Sequence, residues 1–410
     1  MQSEAMKKHI ILFVIAVLPF VCSCSWKEEN PYLSTLCRLT VAPDYPDGVE
    51  TREGVTVVAS NTNTGDTYSR PTNVDGKAEF SLPTGLYKIT VSDIRGKDIY
   101  NGMKDNIELK SAGVLHLDMK HSLKGSLIIK EIYCGGCMKT PEQGNYQADK
   151  YIIIHNNDFE DHYLDSLCFG ALFPWNSNAS NPFLTDGNLP SFLPVGQAIW
   201  QFGGTGSSFK LAPGEDAVLC LNGAINHSAL YPLSVNLDVP GYFVCYSPVY
   251  FPNTSYHPAP GANIAQDHYV DAIIKTGSGN AYTFSINSPT AIIFRAPEGK
   301  TIQQYVAEEG SIVQVPGSSS DKVVSIPPEW VIDAVEVFNG ASSGNQKRLM
   351  STLDAGYVTL SGTYLGHTLM RKLDREQTDQ AGYDIYQDTN NSSADFEERT
   401  EQSLHAKNGQ

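Results

Sequence analysis

The feature that most constrains this fold is an alternation of apolar and polar residues that follows a tight turn at 73–76. The turn reads Asn-Val-Asp-Gly, and Asp-Gly tolerates the positive φ angles of a hairpin loop. Successive side chains of a β-strand point to opposite faces, so one set faces a core and the other faces water. The inward set is Ala78, Phe80, Leu86, Ile89 and Val91, and the outward set is Lys77, Glu79, Lys88 and Thr90. The stretch therefore predicts a β-hairpin.

Short alternating runs of this kind recur along the chain, whereas long amphipathic helical patterns are hard to find. The 410 residues include 34 Gly, 23 Pro and 21 Tyr, and short alternating runs bounded by turn residues are typical of all-β proteins. A chain of this length has room for two or three domains of roughly 150 residues each. We therefore predict an all-β protein with more than one domain.

The N-terminal segment has the pattern of an export signal. Lys7 and Lys8 precede an apolar run at 10–21, which is shorter than the ~20 residues that a membrane-spanning helix needs. A basic flank, a short apolar core and a small residue before the cleavage point are typical of a signal peptide, here residues 1–23. The alternative is an uncleaved anchoring helix, which the length of the run disfavours.

The end of the signal, Val21-Cys22-Ser23-Cys24, resembles the lipobox of bacterial lipoproteins. The resemblance implies that Cys24 becomes the first mature residue and carries three lipid chains, palmitate among them. Stable anchoring needs more than one chain. Lys27-Glu28-Glu29 resembles the export tag of Bacteroides-type surface lipoproteins. We therefore expect a lipid anchor in the cell outer membrane, a tether at 24–35 and a protein that faces outside.

The charge of the chain argues against one class of partner. The net charge is −16 at pH 7, and an acidic surface repels phosphate backbones, so we expect no nucleic-acid partner. No later apolar run approaches spanning length, so the lipid is the predicted membrane contact.

The first domain is predicted from strand patterns at 36–41, 55–60, 77–81, 87–92 and 114–119. The sequence TNVDGKAEFS at 72–81, followed by LPTGLYKITV at 82–91, resembles a carboxypeptidase-regulatory-like or transthyretin-like β-sandwich. In those families the module is a spacer that lifts another domain from the membrane. The resemblance implies an Ig-like spacer domain at 36–121.

A second series of motifs runs from residue 125 to residue 396. It includes GSLIIKEIY at 125–133, YIIIHNN at 151–157, FKLAPGEDAVL at 209–219, TLMR at 368–371 and DTNNSSADF at 388–396. The order resembles a lamin-tail-type immunoglobulin-like domain. The resemblance implies a β domain at 122–400, followed by a polar tail at 401–410.

This second unit is more than twice the usual size of such a domain. The excess lies in two segments rich in Pro, Asn, Tyr and Phe, 173–196 and 231–267. Loops of that length are usually functional or have structure of their own. The pairing of the two modules also resembles an uncharacterised group of Bacteroides-type lipoproteins, a resemblance that implies no particular activity.

Six cysteines remain beyond the signal and the lipidated position: Cys37, Cys134, Cys137, Cys168, Cys220 and Cys245. Cys134-Gly-Gly-Cys137 is the sharpest motif among them. A redox dithiol would open a helix, and a zinc site would need a second ligand pair; the sequence shows neither. A structural disulfide between these two cysteines is therefore the preferred interpretation. Cys168, Cys220 and Cys245 lie in apolar runs and are expected to be buried.

Two stretches carry possible metal ligands. His155, His162 and several acids crowd one hairpin; a solvated acidic turn is preferred over a transition-metal site, because no tight ligand spacing stands out. The second stretch offers oxygen ligands at alternate positions, as a calcium loop does: Asp388, Asn390, Ser392 and Asp395. It lacks the Gly and the bidentate Glu of an EF-hand, and the lamin-tail resemblance already explains it as a structural turn. No cofactor is predicted.

Aromatic residues in the two long segments are the candidate ligand-binding residues. They are Trp175, Tyr242, Tyr246, Tyr250 and Tyr256. Rigid aromatic faces suit sugar rings or protein hot spots; the alternative is that they pack beneath their own loops. Trp200 and Trp330 lie in strand-like contexts and are expected in the core.

The sequence contains no motif of a known catalytic centre. Neither a G-x-S-x-G elbow nor an H-E-x-x-H pair occurs. We therefore predict a non-enzymatic protein that binds an extracellular ligand or an outer-membrane transporter partner. The alternatives are a structural or adhesive surface protein, or a hydrolase of unrecognised type.

Overall fold

The computed structural model describes residues 36–340, 342 and 344–408. The predicted signal peptide, Cys24 and the tether at 24–35 lie outside the described residues. Within the described part, no helix is long and apolar enough to cross a membrane. β-Strands dominate it, which confirms the predicted all-β class.

The first domain is a sandwich of two sheets. Its strands are β1 (Leu36–Asp44), β2 (Thr56–Asn61), β3 (Thr67–Pro71), β4 (Ala78–Pro83), β5 (Gly85–Arg95), β6 (Asp98–Leu109), β7 (Gly113–Asp118) and β8 (Lys120–Leu123). One sheet has the order β4-β1-β7 and the other the order β3-β2-β5-β6-β8. β1 pairs antiparallel with β4 and parallel with β7. One apolar core, which includes Phe80, Tyr87 and Ile89, joins the two sheets.

The turn at 73–76 is present, but it does not close a hairpin. The Gly76 amide donates to the Asn73 carbonyl at 2.8 Å, and Gly76 has a φ of +72°. The strands on either side belong to different sheets, because β3 pairs with β2 and β4 pairs with β1. The turn therefore carries the chain from one layer of the sandwich to the other.

The second domain contains the remaining strands. They are β9 (Leu127–Tyr133), β10 (Cys137–Met138), β11 (Asn145–Tyr146), β12 (Tyr151–Asn156), β13 (His162–Tyr163), β14 (Cys168–Leu172), β15 (Leu193–Gln201), β16 (Lys210–Leu211), β17 (Asp216–Cys220), β18 (Phe243–Cys245), β19 (Tyr269–Lys275), β20 (Thr290–Phe294), β21 (Ile312–Gln314), β22 (Lys322–Ile326), β23 (Val331–Asn339), β24 (Val358–Leu360), β25 (Thr368–Arg371) and β26 (Phe396–Arg399).

The helices of the described part are short. The α-helices are α1 (Ile302–Val306), α2 (Arg375–Ala381), α3 (Ser392–Asp395) and α4 (Ser403–Asn408), and the 3-10 helices are His227–Ala229, Gln266–His268 and Pro328–Trp330. α1 begins with a capping box, in which the Thr301 hydroxyl accepts from the Gln304 amide while the Gln304 side chain accepts from the Thr301 amide. Such reciprocal bonds satisfy the free amides of a helix start.

A single large sheet builds the second domain. Its strand order is β24-β23-β20-β14-β15-β19-β18-β17-β12-β9-β25-β26, with β22 joined to β15 and β21 to β22. Strands from both halves of this order share one core, so the two halves face each other; members of that core include Ile129, Ile154, Phe169, Trp200 and Ile293. The predicted loop 231–267 contains β18, which bridges the two halves through parallel pairs with β17 and β19. Trp200 is fully buried as predicted, and Trp330 packs at the edge of a second core cluster.

The two domains are joined by polar contacts from the segment that follows Asp388. The Asn101 side-chain amide donates to the Thr389 and Asn390 carbonyls at 2.6 and 3.2 Å. In return, the Asn390 amide donates to the Ser122 hydroxyl at 2.9 Å. Asn101 is fully buried, so these bonds fix the first domain against the second.

The prediction that Lys88 faces water is wrong. Its side chain is 7% exposed, and its ammonium lies 3.9 Å from the ring centroid of Tyr357 in the second domain. It also donates to the Ser393 hydroxyl at 3.3 Å. Burial lowers the pKa of Lys88 to about 8. The outward face of β5 is thus partly covered by the second domain, which a strand pattern alone does not reveal.

The C-terminal segment packs on the second domain. Leu404 in α4 is 1% exposed and joins the core cluster that includes Tyr133 and Tyr151. The Ser403 hydroxyl donates to the Glu131 carboxylate. The domain therefore continues past residue 400, at least to Leu404, where the sequence predicts a polar tail.

Candidate ligand-binding site

Two of the five predicted aromatic residues meet at one cavity. Trp175 and Tyr256, from the two long segments, line an open cavity of about 370 Å³ together with Phe251. Trp175 is half-buried, and Tyr256 is 43% exposed. We call this the aromatic cavity. Its volume lies within the range of roughly 300–1,000 Å³ that is typical of small-molecule sites.

Trp175 is held in place by a glycine on β15. A Cβ atom at Gly196 would lie 2.1 Å from Cη2 of the indole, so only glycine leaves room for the ring. On its other side the indole meets Phe173 edge to face, with ring centroids 5.1 Å apart. Edge-to-face aromatic pairs are favourable, and the two contacts fix the indole at the cavity wall.

Residues of the segment 276–283 form another part of the cavity lining. Gln197 has a φ of +60°, and its side-chain amide makes three hydrogen bonds with Thr283. It accepts from the Thr283 amide at 2.8 Å and from the hydroxyl at 3.0 Å, and it donates to the carbonyl at 2.7 Å. The Asn253 amide donates to the Asn280 carbonyl at 3.0 Å, which joins the loop of Tyr256 to this segment.

Lys275 supplies a cation to the cavity. Its ammonium donates to the Tyr250 carbonyl at 2.8 Å and lies 5.3 Å from the centre of the Phe251 ring. The backbone of Tyr250 therefore contributes here, whereas its ring packs against the main core. Sequence reasoning missed Gln197, Asn253 and Lys275. The one available signal was the glycine-rich stretch Gly277-Ser278-Gly279-Asn280.

Tyr242 and Tyr246 lie outside the aromatic cavity. Both pack against a separate core cluster, and burial raises the pKa of Tyr242 to about 12. Tyr246 also stacks on His257, with ring centroids 5.8 Å apart, and lines a different shallow depression with Tyr269. For these tyrosines, packing beneath their own loops is the arrangement observed.

A larger cavity of about 1060 Å³ lies between the two domains. Several charged side chains line it. The Lys97 ammonium lies 3.5 Å from the Asp158 carboxylate, His162 lies 3.2 Å from that carboxylate, and Lys124 donates to Gln377 at 3.3 Å. Its lining contains one Phe, Tyr or Trp residue, Phe159, so it does not combine two aromatic faces as the aromatic cavity does.

The two histidines of the acidic hairpin, considered above as possible metal ligands, do not converge. His155 is fully buried and contacts the Asp216 carboxylate at 2.7 Å and the Asp384 carbonyl at 3.0 Å. His162 instead faces Asp158 across the turn. Within the described residues, no group of three His, Cys, Asp or Glu side chains is placed to hold a metal ion.

The predicted calcium loop is organised around an arginine. Asp388 and Asp395 accept from Nη1 of Arg371 at 3.3 and 3.2 Å. The Asn390 side chain donates to the first domain, and the Ser392 hydroxyl donates to a buried aspartate of another loop. The segment therefore has the arrangement of a structural turn, in which the guanidinium supplies the positive charge that these carboxylates need.

All three guanidinium nitrogens of Arg371 donate hydrogen bonds. Nε donates to the Ile129 carbonyl at 2.9 Å, Nη1 donates to the Gln387 carbonyl at 2.9 Å, and Nη2 donates to both carboxylate oxygens of Asp333 at 2.7 and 2.8 Å. Burial raises the pKa of Asp333 to about 6, although Arg371 opposes the shift. Burial likewise raises the pKa of Asp395 to about 7. One arginine thus links β9, β23, β25 and the closing segment.

The predicted disulfide between Cys134 and Cys137 is not formed. Both residues are free, buried thiols. Cys134 packs into the main core, whereas the Cys137 thiol donates to the Asp149 carboxylate at 3.7 Å. Burial raises the pKa of each thiol to about 12, which disfavours the reactive thiolate. Cys168, Cys220 and Cys245 are buried as expected.

A serine, a histidine and a glutamate meet near the end of β25, but their geometry is not that of a catalytic triad. The Ser361 hydroxyl donates to Glu398 at 2.7 Å, and Nδ1 of His367 lies 2.7 Å from the same carboxylate oxygen. A triad places the histidine between the hydroxyl and the acid. Here the acid engages both groups directly, so this cluster does not activate the serine.

Comparison with known proteins shows a similarity to one family and to one solved structure. Residues 212–403 match the model of a family described as "Protein of unknown function (DUF4876)". A crystal structure of a DUF4876 family protein from Bacteroides thetaiotaomicron VPI-5482 is 27% identical, with a TM-score of 0.57, over 88% of this chain and 94% of that chain. The chain is similar to the DUF4876 proteins.

The other comparisons add no functional information. A putative adhesin from Bacteroides ovatus ATCC 8483 is 14% identical over 33% of this chain and 54% of that chain, with a TM-score of 0.18. GBS52, the minor pilin of Streptococcus agalactiae, is 14% identical over 42% of this chain and 76% of that chain, with a TM-score of 0.15. Such low scores carry no argument about this chain. No curated protein matches it. The DUF4876 match at 212–403 includes the cavity residues Asn253, Tyr256 and Lys275, whereas Trp175 precedes it.

Proposed function

We propose that the protein is a non-enzymatic surface lipoprotein of the DUF4876 kind that binds an extracellular saccharide in the aromatic cavity. In this proposal, Cys24 carries the lipid and Lys27-Glu28-Glu29 directs export to the outer face of the outer membrane. The first domain is a transthyretin-like spacer, and the second is an enlarged lamin-tail-like domain that carries the binding site.

The observation that carries the binding proposal is the composition of the cavity walls. A half-buried indole and an exposed tyrosine ring, Trp175 and Tyr256, line an opening that also bears amide and hydroxyl side chains, one lysine and one aspartate. Aromatic rings offer flat apolar faces, and amides both donate and accept hydrogen bonds. A sugar ring needs both, because its C–H face is apolar while its rim carries hydroxyls.

The order of the domains fits the proposed spacer. The predicted tether, residues 24–35, has twelve residues and precedes β1 at Leu36, so it extends at most about 40 Å at 3.3–3.6 Å per residue. The chain enters the first domain before it reaches the second, and the Asn101 contacts fix the two domains together. With a lipid at Cys24, the first domain would thus lie between the membrane anchor and the second domain in the order of the chain.

Protease shaving of intact cells tests the location. We expect wild type to be cleaved, and the variant with alanines at 27–29 to be protected because it stays on the inner face. The variant Cys24→Ala should be recovered in the soluble fraction. Protection of the wild type would contradict surface exposure, whatever the protein binds.

A screen of immobilised neutral polysaccharides tests the binding. Wild type is compared with the double variant Trp175→Ala/Tyr256→Ala, which we expect to bind at least about tenfold more weakly, since aromatic contacts contribute about 0.5–1.5 kcal/mol each beyond their buried area. Phe159→Ala is the matched control, because Phe159 is a 64% exposed aromatic side chain that lines the interdomain cavity instead. Equal binding by wild type and the double variant would place the site elsewhere.

A further inference from the structure

Behind the aromatic cavity lies a buried cluster of rings that carries polar atoms without partners. The cluster consists of Trp200, Phe251, His257 and Tyr282. Trp200 lies 6.1 Å from His257 and 5.3 Å from Tyr282 between ring centroids, and Phe251 lies 5.7–5.9 Å from all three. Each of the four side chains is at most 2% exposed. We call this group the inner cluster.

Four polar atoms of the inner cluster lack a hydrogen bond within the described residues. They are both ring nitrogens of His257, the indole nitrogen of Trp200 and the hydroxyl of Tyr282. The indole N–H of Trp200 acts on the Tyr282 hydroxyl and opposes the rise of its pKa, but the two groups do not reach the geometry of a normal hydrogen bond. Buried polar groups are nearly always hydrogen-bonded, and their concentration at one place calls for a partner from outside the chain.

The inner cluster disfavours charge. Burial lowers the pKa of His257 to about 4, so its ring is neutral at physiological pH and offers one donor and one acceptor. Burial also raises the pKa of Tyr282 well above its ordinary value, so that residue keeps its hydroxyl proton. A partner that matches these groups is neutral and both donates and accepts hydrogen bonds. A hydroxyl group has these properties, whereas a carboxylate, a phosphate or an ammonium does not.

The inner cluster adjoins the aromatic cavity through Phe251. This residue lines the cavity and contacts the other three rings of the cluster. Tyr282 lies between two residues of the cavity wall, Ala281 and Thr283, and His257 directly follows Tyr256. The Phe251 ring is therefore shared by the cavity lining and the inner cluster, and His257 is also covered by the stacked ring of Tyr246.

We propose that the inner cluster is the deep subsite of the aromatic cavity and that it takes a hydroxyl group of a neutral saccharide. This inference rests on the proposed function and specifies its ligand. Trp175 and Tyr256 hold the sugar ring at the entrance, and Phe251 moves aside so that a hydroxyl meets His257 and Tyr282. The subsite itself excludes a charged group, because it cannot stabilise a charge.

The test is titration calorimetry with the soluble mature chain carrying Cys24→Ala and four neutral probes: maltohexaose, cellohexaose, mannohexaose and chitohexaose. Tyr282→Phe removes one unpartnered hydroxyl and keeps the ring, so it should weaken binding of the best probe about tenfold while leaving the melting temperature unchanged or raised. His257→Phe removes both ring nitrogens and should weaken binding similarly. Tyr242→Phe, which changes a tyrosine of another core cluster, is the matched control and should bind as wild type does.

The outcomes distinguish a failure of the deep subsite from a failure of the aromatic cavity as the binding site. If Trp175→Ala loses binding while Tyr282→Phe and His257→Phe bind as wild type does, the deep subsite is refuted and the aromatic cavity stands. If no probe binds to wild type, saccharide binding and its subsite are both refuted. Because Tyr282→Phe is isosteric, a failure of His257→Phe to fold leaves the test decisive.

Discussion

Replacement of Arg371 by methionine removes the charge that holds three buried carboxylates. Methionine keeps much of the side-chain length but offers no donor. In the wild type, Arg371 contacts Asp333, Asp388 and Asp395, all of them at most 3% exposed. Breaking a buried ion pair by removing one partner costs about 3–5 kcal/mol. We expect a loss of that size in the free energy of unfolding at pH 7.5.

The loss of unfolding free energy caused by Arg371→Met should be smaller in mild acid, because the buried carboxyl groups are then protonated. Burial raises the pKa of Asp333 to about 6 and that of Asp395 to about 7, above the unfolded value of about 3.9. Groups with a raised folded pKa make the native state less stable as pH rises from about 4 to 7. Without Arg371 these pKa values rise further, so at pH 5 the acids are protonated and the difference from wild type should fall to about 2 kcal/mol or less.

Urea titrations followed by tryptophan fluorescence measure these differences. The described tryptophans, Trp175, Trp200 and Trp330, all lie in the second domain, so the signal reports the unfolding of that domain. Arg399→Met is the matched control, because Arg399 is 43% exposed and pairs with Glu397 at the surface; it should change stability by no more than about 0.5 kcal/mol. A difference for Arg371→Met below about 1 kcal/mol, or one equal at pH 5 and pH 7.5, would refute the reasoning.

Three further predictions follow from single contacts. Gly196→Ala forces the indole of Trp175 from the cavity wall. Saccharide binding should then fall about tenfold, and the protein should lose about 1–3 kcal/mol of stability. Unchanged affinity in calorimetry would contradict the placement of Trp175. Asn101→Ala removes two hydrogen bonds between the domains and should lower the free energy of unfolding by about 1–3 kcal/mol in urea titrations. An unchanged free energy of unfolding would show that these bonds do not stabilise the contact between the domains. His257 has a folded pKa of about 4 against an unfolded value of about 6.5, so its contribution is lost as pH falls from 6.5 to 4. Between pH 7 and pH 4.5, the free energy of unfolding of wild type should therefore fall by about 2 kcal/mol more than that of His257→Phe. Parallel curves of unfolding free energy against pH would show that His257 is not the group responsible.

The sequence predicts local structure well where it depends on neighbours along the chain. The alternation around Phe80 and Ile89 produces strands with those side chains in the core, because a strand's faces are set by its own period of two. Lys88 breaks the same pattern, since its partner Tyr357 comes from the other domain. The turn at 73–76 was predicted, but its role as a crossing between sheets depends on the partners of the strands on either side.

The site was only partly predictable for the same reason. Trp175 and Tyr256 could be named from the aromatic richness of the long segments, but the cavity between them depends on the pairing of β15 with β19. That pairing brings Gln197 beside Thr283, a contact between residues far apart in sequence. The acidic segment at 388–395 has the oxygen spacing of a calcium loop, and only the position of Arg371 shows which cation it binds.

Amide hydrogen exchange with and without maltohexaose, cellohexaose, mannohexaose or chitohexaose locates a bound saccharide on the protein and so decides whether the aromatic cavity is the binding site. The saccharide account predicts slower exchange at 253–257 and 276–283 with at least one probe, and loss of that protection in Trp175→Ala. Protection confined to the interdomain residues 94–97 and 157–162, or an absence of protection by every probe at saturating concentration, would contradict it.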